Sequence, residues 1–170
     1  MSAHSKLISS ADICLQLAHL LKTKAACMAS AESCTGGLIA AACTDLPGSS
    51  DWFERGFVSY SNQAKSDMLG VLPDLIRQHG AVSEAVARAM AIGALQNSKA
   101  QFSVAVTGVA GPSGGSPDKP VGTVWLAYAW GLEADQCSAE LKRFEGDRGE
   151  VRRATVLHAL GRLVAILLAA

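Results

Sequence analysis

A chain of 170 residues in which 15 lysines and arginines balance 15 aspartates and glutamates has no electrostatic footprint for nucleic acid or an anionic membrane surface. A domain of this length buries roughly two-thirds of its unfolded surface, so neither disulfides nor a structural metal is needed. The five cysteines are odd in number and lack a Cys-x-x-Cys spacing, which points to reduced thiols in the cytoplasm; the longest apolar run, residues 163–170, is too short to cross a bilayer.

Residues 8–22 repeat Ile13, Leu17, Leu20 and Leu21 near helical spacing after Ser9 and Ser10, either of which suits a helix cap, so the spacing predicts a first amphipathic helix. Residues 27–31 form a short apolar strand that runs into Glu32-Ser33-Cys34-Thr35-Gly36-Gly37, and residues 37–43 read as a small-residue helix. Asp45-Leu46-Pro47-Gly48 is a turn, with Ser50 in the loop before a predicted strand over 56–60. Ser61 caps a helix that Gly70 stops, with Lys65 in its first turns; Pro73 and Gly80 bound a further helix, and Ser83 with Glu84 opens another to about residue 97. Residues 102–107 and 121–130 are predicted strands flanking a Gly/Pro loop, Thr107 to Gly115. A strand over 134–144 follows so closely that it must be an antiparallel neighbour, and helical periodicity over 150–168 makes a long final helix. The pattern contains no repeat or linker and predicts a single α/β domain over 1–170, an α/β/α sandwich with a mixed sheet.

Small hydroxyls, paired glycines, a tyrosine and a lysine crowd residues 32–65, the composition of a site. A Ser-His-Asp triad is hard to assemble: His4 is in the terminal tail, His19 and His158 sit in scaffold helices, and His79 precedes a helix stop. Lysine becomes the candidate base. Near a helix amino end, and partly buried, Lys65 is easier to deprotonate than a free lysine. Two serines compete for the nucleophile. Ser33 stands at a strand-to-helix turn that aims backbone N–H groups at an anion, and Ser50 follows a glycine in a loop; the residues alone do not choose. Tyr60, five residues before Lys65, is within reach of the same pocket, and Asn62 either binds substrate or only opens the helix. The 107–115 loop matches neither Gly-x-x-x-x-Gly-Lys-Ser/Thr nor Gly-x-Gly-x-x-Gly, and its close glycines suit a monophosphate.

The segments Ala31-Glu32-Ser33-Cys34-Thr35-Gly36-Gly37, Pro47-Gly48-Ser49-Ser50, Gly56-Phe57-Val58-Ser59-Tyr60-Ser61-Asn62 with Lys65, and Thr107-Gly108-Val109-Ala110-Gly111-Pro112 continuing to Lys119-Pro120-Val121-Gly122-Thr123-Val124 resemble the CinA C-terminal-domain family over nearly the whole chain. Members of that family are nicotinamide mononucleotide deamidases. The resemblance implies Ser50 as nucleophile, Lys65 as base, and Ser33 and Tyr60 as neighbours that orient or donate hydrogen bonds. It implies Thr35, Gly36, Asn62, Thr107, Gly108, Ala110, Gly111 and Arg148 around a small nucleotide, with Arg148 ahead of the last helix and on the phosphate. Arg152 and Arg153 are expected to be helix-surface charges. No metal or cofactor is expected, and a homo-oligomer, such as a dimer, is. The competing expectations are a nucleotide-binding module without catalysis and an amidase for another small amide.

Overall fold

The computed structural model describes residues 9–131 and 134–170; His4, the start of the first predicted helix at Ile8, and Glu133 in the connection after the 121–130 strand lie outside them. Ser9 caps α1 (Ser10–Thr23) in a reciprocal box with Asp12, satisfying backbone donors that a helix start leaves orphaned. There follow β1 (Met28–Glu32), α2 (Leu38–Thr44), a single 3₁₀ turn (Ser49–Asp51), β2 (Phe53–Val58), α3 (Asn62–Leu69), α4 (Pro73–His79) and α5 (Glu84–Gln96). The chain ends with β3 (Phe102–Gly108), β4 (Thr123–Trp130), β5 (Gln136–Arg143) and α6 (Arg148–Ala169). Ser61 caps α3 and Gly70, at φ 67°, ends it, as the sequence predicts. Other boundaries shift by one to three residues, β2 for instance starting at Phe53 rather than at residue 56, and two of the shifts bear on the site. Tyr60 lies beyond the end of β2 rather than in it, and α6 starts at Arg148 because Asp147 and Glu150 form a second capping box.

The five strands make one mixed sheet in the order β2-β1-β3-β4-β5. β1 is parallel to both β2 and β3, and β4 is antiparallel to β3 and β5. Alternation along the strands sorts two unlike cores. Met28, Val104, Val106, Leu126 and Tyr128 point toward α1, α2 and α6, where they meet Leu17, Leu21, Ile39, Trp52, Leu160 and Leu163. Ala29, Ala31, Ala105, Ala127 and Ala129 point the other way, toward α3, α4 and α5. Alanine on the sheet against Ala87, Ala91 and Ala94 on α5 lets that helix lie close, and Ser103 Oγ donates to Ala91 O at 2.7 Å. Gly93 takes the same logic to its limit: a Cβ there would overlap the Leu69 carbonyl oxygen. The result is the α/β/α sandwich, with the parallel strands β1 and β2 releasing their chains at one end of the sheet. None of the five cysteines is in a disulfide.

Candidate active site

Glu32, the last residue of β1, is fully buried. One carboxylate oxygen accepts from Thr35 Oγ1 at 2.7 Å and from the N–H groups of Gly37 and Ile39 at 3.0 Å each; the other accepts from Ala40 N at 2.9 Å and Ser30 Oγ at 3.2 Å. Gly37, the N-cap of α2, has no side chain to cap with, and the buried carboxylate does that work across the turn. The turn from 33 to 37 is thereby folded around Glu32, and Ser33 is held at the carboxyl end of β1 with its N–H on Val106 O at 3.0 Å.

The next strand brings Lys65. Beyond β2 the chain turns at Ser59 and Tyr60 into α3, and Lys65 in the second turn of α3 points back under that corner with only 1% of its surface exposed. Its Nζ lies 3.0 Å from Ser33 Oγ, 2.9 Å from Ser59 O and 3.2 Å from Tyr60 O. No carboxylate pairs with it among the described residues. Burial without a counter-ion pushes the ammonium below the ordinary lysine pKa. A thiolate at Cys34 would oppose this, but burial holds that thiol up at about 11, uncharged at neutral pH. The two carbonyls and the Ser33 hydroxyl are three acceptors for the ammonium; on losing a proton, the amine keeps two N–H groups on the carbonyls and turns its lone pair to the Ser33 hydroxyl proton.

Ser50 is not brought to this place. It sits exposed in the 3₁₀ turn that precedes β2, at the end where Met28 pairs with Phe53, whereas Lys65 follows the other end. Six strand residues at about 3.3 Å each separate the two by roughly 20 Å. This corrects the expected Ser50–Lys65 pair: fifteen residues of sequence separation conceal a whole strand.

Tyr60 contributes its carbonyl inward and its ring outward, and its hydroxyl accepts from Arg148 Nη2 at 3.2 Å. Arg148, in the first turn of α6 rather than ahead of it, also donates from Nη1 to Gly111 O at 2.8 Å. It borders a cavity of about 690 Å³ with Pro112, Val121, Gly146, Asp147, Gly149 and Arg153. Other expected ligand contacts are occupied by the fold. The Thr35 hydroxyl is spent on Glu32 and the Thr107 hydroxyl on Ala81 O at 2.9 Å, both buried. Ala110 is 4% exposed in the core beneath α6. Gly108 is a glycine because a Cβ would strike Thr123 O and Val124 at 2.7 Å. Gly36 is exposed in the Ser33 turn, and Asn62 opens α3 beside a separate cavity of about 150 Å³. A cleft of about 520 Å³ between α1 and α6 contains none of these residues.

Two site residues escape the sequence reading. Glu32 was visible only as part of a motif, with nothing to announce a buried carboxylate taking five bonds. Arg152, expected on the helix surface, instead donates from Nε to Cys34 O at 3.1 Å and from Nη2 to Thr35 O at 2.8 Å. Its spacing of four from Arg148, which puts both on one helix face, was the available signal.

The CinA C-terminal domain family matches residues 10–167. Nicotinamide-nucleotide amidohydrolase PncC of Escherichia coli K12 is 50% identical over 152 residues, which are 87% of this chain and 88% of the relative. The protein of the same name from Pseudomonas putida is 58% identical over 134 residues, 79% of this chain and 82% of that one. Among solved structures, the competence/damage inducible protein CihA from Agrobacterium tumefaciens superposes with a TM-score of 0.88 at 44% identity, covering 92% of this chain and 94% of its own. Matched in sequence and in fold over nearly its whole length, the chain belongs to the CinA C-terminal domain family.

Proposed function

We propose that this protein hydrolyses the carboxamide of nicotinamide mononucleotide to nicotinate mononucleotide and ammonia, with Ser33 as nucleophile and Lys65 as its general base. The observation that carries the reading is the buried, carbonyl-held Lys65 Nζ at 3.0 Å from Ser33 Oγ; the names of the relatives from E. coli and P. putida supply the substrate. Ser33 Oγ attacks the carboxamide carbon as its proton passes to Lys65. A backbone N–H of the turn just after Ser33, one not already bonded within the fold, stabilises the oxyanion. Collapse of the tetrahedral intermediate breaks the C–N bond, and Lys65 returns the proton to the leaving ammonia. Water then attacks the acyl-enzyme, giving one proton to Lys65, which hands it to Ser33 Oγ as nicotinate departs.

Arg148, beside the 690 Å³ cavity, takes the 5′-phosphate by charge-assisted bonds. Val58, Tyr60 and Val121, apolar side chains left 40–59% exposed, shield the pyridine ring. The cycle uses no metal, and turnover is expected to survive a chelator.

The test is ammonia release from the mononucleotide by the purified protein. Ser33→Ala should lower kcat by more than about 10³-fold, while Ser50→Ala stays within about twofold of the parent. Loss confined to Ser50→Ala would overturn the assignment. Binding of the mononucleotide with no ammonia from the parent would leave a nucleotide-binding module, and equal turnover of nicotinamide would leave a general amidase.

A further inference from the structure

Arg152 lies one helical turn after Arg148 on α6, half-buried, with no carboxylate partner among the described residues. An arginine free to choose takes water or a carboxylate. This one spends its guanidinium on two consecutive carbonyls, Cys34 O and Thr35 O, directly after Ser33. It also lies 3.5 Å from where a Gly36 Cβ would stand, so the guanidinium lies against the turn.

Trans peptide planes carry the effect onward, because C=O and N–H of one peptide point in opposite directions. Arg152 Nη2 holds Thr35 O, and the N–H of that same peptide is Gly36 N, which donates to Ser33 O at 3.1 Å. Ser33 O in turn shares its peptide with Cys34 N. That N–H, on the residue after the nucleophile, donates to no acceptor on another described residue. The sequence is a relay of two peptide dipoles, each bond polarising the next, from a fixed cation to the Cys34 N–H.

We propose that Arg152 is a positioning residue that fixes and polarises the Cys34 N–H as the oxyanion donor, acting through the Thr35–Gly36 and Ser33–Cys34 peptides. The proposal rests on the assignment of Ser33 as nucleophile. With its guanidinium spent on Cys34 O and Thr35 O, Arg152 in this role acts on the transition state and leaves ground-state binding alone.

The experiment compares the parent with Arg152→Ala and Arg152→Lys. Removing an oxyanion donor outright costs about 10²–10³ in kcat. An indirect hold on one is expected to cost about 10- to 100-fold in kcat with KM within about twofold, and millimolar guanidinium should restore much of the loss in Arg152→Ala. Lysine, a point charge that cannot bridge two carbonyls, should recover little. Thermal unfolding run in parallel identifies a merely structural arginine: a lowered Tm with no guanidinium rescue, or kcat within about threefold of the parent, overturns the proposal. If Arg152→Ala does not fold, Arg152→Lys carries the same comparison.

Labelling of Ser33 by a fluorophosphonate, read by mass spectrometry, separates this idea from the choice of substrate. A parent that labels at Ser33 but does not turn over nicotinamide mononucleotide sinks the substrate reading only, and slower labelling in the Arg152 variants then still supports the relay. A parent that neither turns over nor labels sinks both.

Discussion

Glu32→Gln changes one atom of a fully buried side chain and keeps its shape, so its effect reads the hydrogen bonding of the Ser33 turn directly. The two carboxylate oxygens accept five bonds, three of them from backbone N–H groups that cannot reverse roles. An amide must place NH₂ where one oxygen was. Its better orientation faces Ala40 N and Ser30 Oγ; the serine hydroxyl can rotate to accept, and the Ala40 N–H is stranded, at a cost of about 1–3 kcal/mol. The remaining three bonds pass from a charged to a neutral acceptor and weaken by about 1 kcal/mol each. Relief of a buried charge returns part of this. The net expectation is a loss of about 2–4 kcal/mol, large against the about 5–15 kcal/mol that holds a typical domain. Urea unfolding followed by far-UV circular dichroism should show the midpoint falling by about 1–2 M at an unchanged slope, and kcat should fall because the turn carrying Ser33 is no longer clamped. A loss below about 0.5 kcal/mol would refute the claim that this carboxylate organises the turn.

Lys65→Met should end turnover while the mononucleotide still binds. In the parent, the acid limb of the kcat/KM profile should lie below the ordinary lysine value of 10.5, because burial lowers the pKa; a limb at 10.5 or above would remove Lys65 as base. The same shift sets a stability signature: with the folded pKa depressed, the unfolded chain binds more protons between the two values, so the lysine's contribution rises with pH up to about 10.5 and is lost as pH falls. The advantage of Lys65→Met in denaturant melts should therefore be greatest at the acid end and shrink with rising pH. Gly93→Ala drives a methyl into the Leu69 carbonyl and should cost about 1–3 kcal/mol despite better helix propensity; a stabilised variant would contradict the close packing of α5 on α3. Arg148→Ala should raise KM for the mononucleotide by more than about tenfold and leave the phosphate-free nucleoside unaffected, and an equal effect on both would take Arg148 off the phosphate.

The fold was legible wherever local chemistry decides it. Ser61 and Gly70 bound α3 as written, and the short connection before the last strand made it antiparallel to its predecessor. The mixed sheet followed from those features, but its order did not, since nothing local tells β1 to insert between β2 and β3. The site was legible as a composition and not as a geometry. Ser33 and Lys65 are 32 residues apart and meet because two parallel strands end side by side. Ser50 is nearer to Lys65 in sequence and stands at the far end of the sheet. Arg152 looked like any helix arginine because a pair of carbonyl partners 117 and 118 residues away leaves no mark on its own segment.

Two of the three groups that seat Lys65 Nζ are main-chain carbonyls, those of Ser59 and Tyr60. A carbonyl is present whatever residue supplies it, and is lost only when the backbone itself moves. The seat of Lys65 Nζ is therefore indifferent to the identity of the side chains at 59 and 60, while the ring of Tyr60 faces outward toward Arg148 and solvent. In the proposed mechanism one residue thus serves chemistry through its backbone and recognition through its side chain. Under that mechanism, a change of substrate written at position 60 leaves the Ser33–Lys65 pair standing, and the corner between β2 and α3 becomes the natural place to redirect the proposed activity to a new amide.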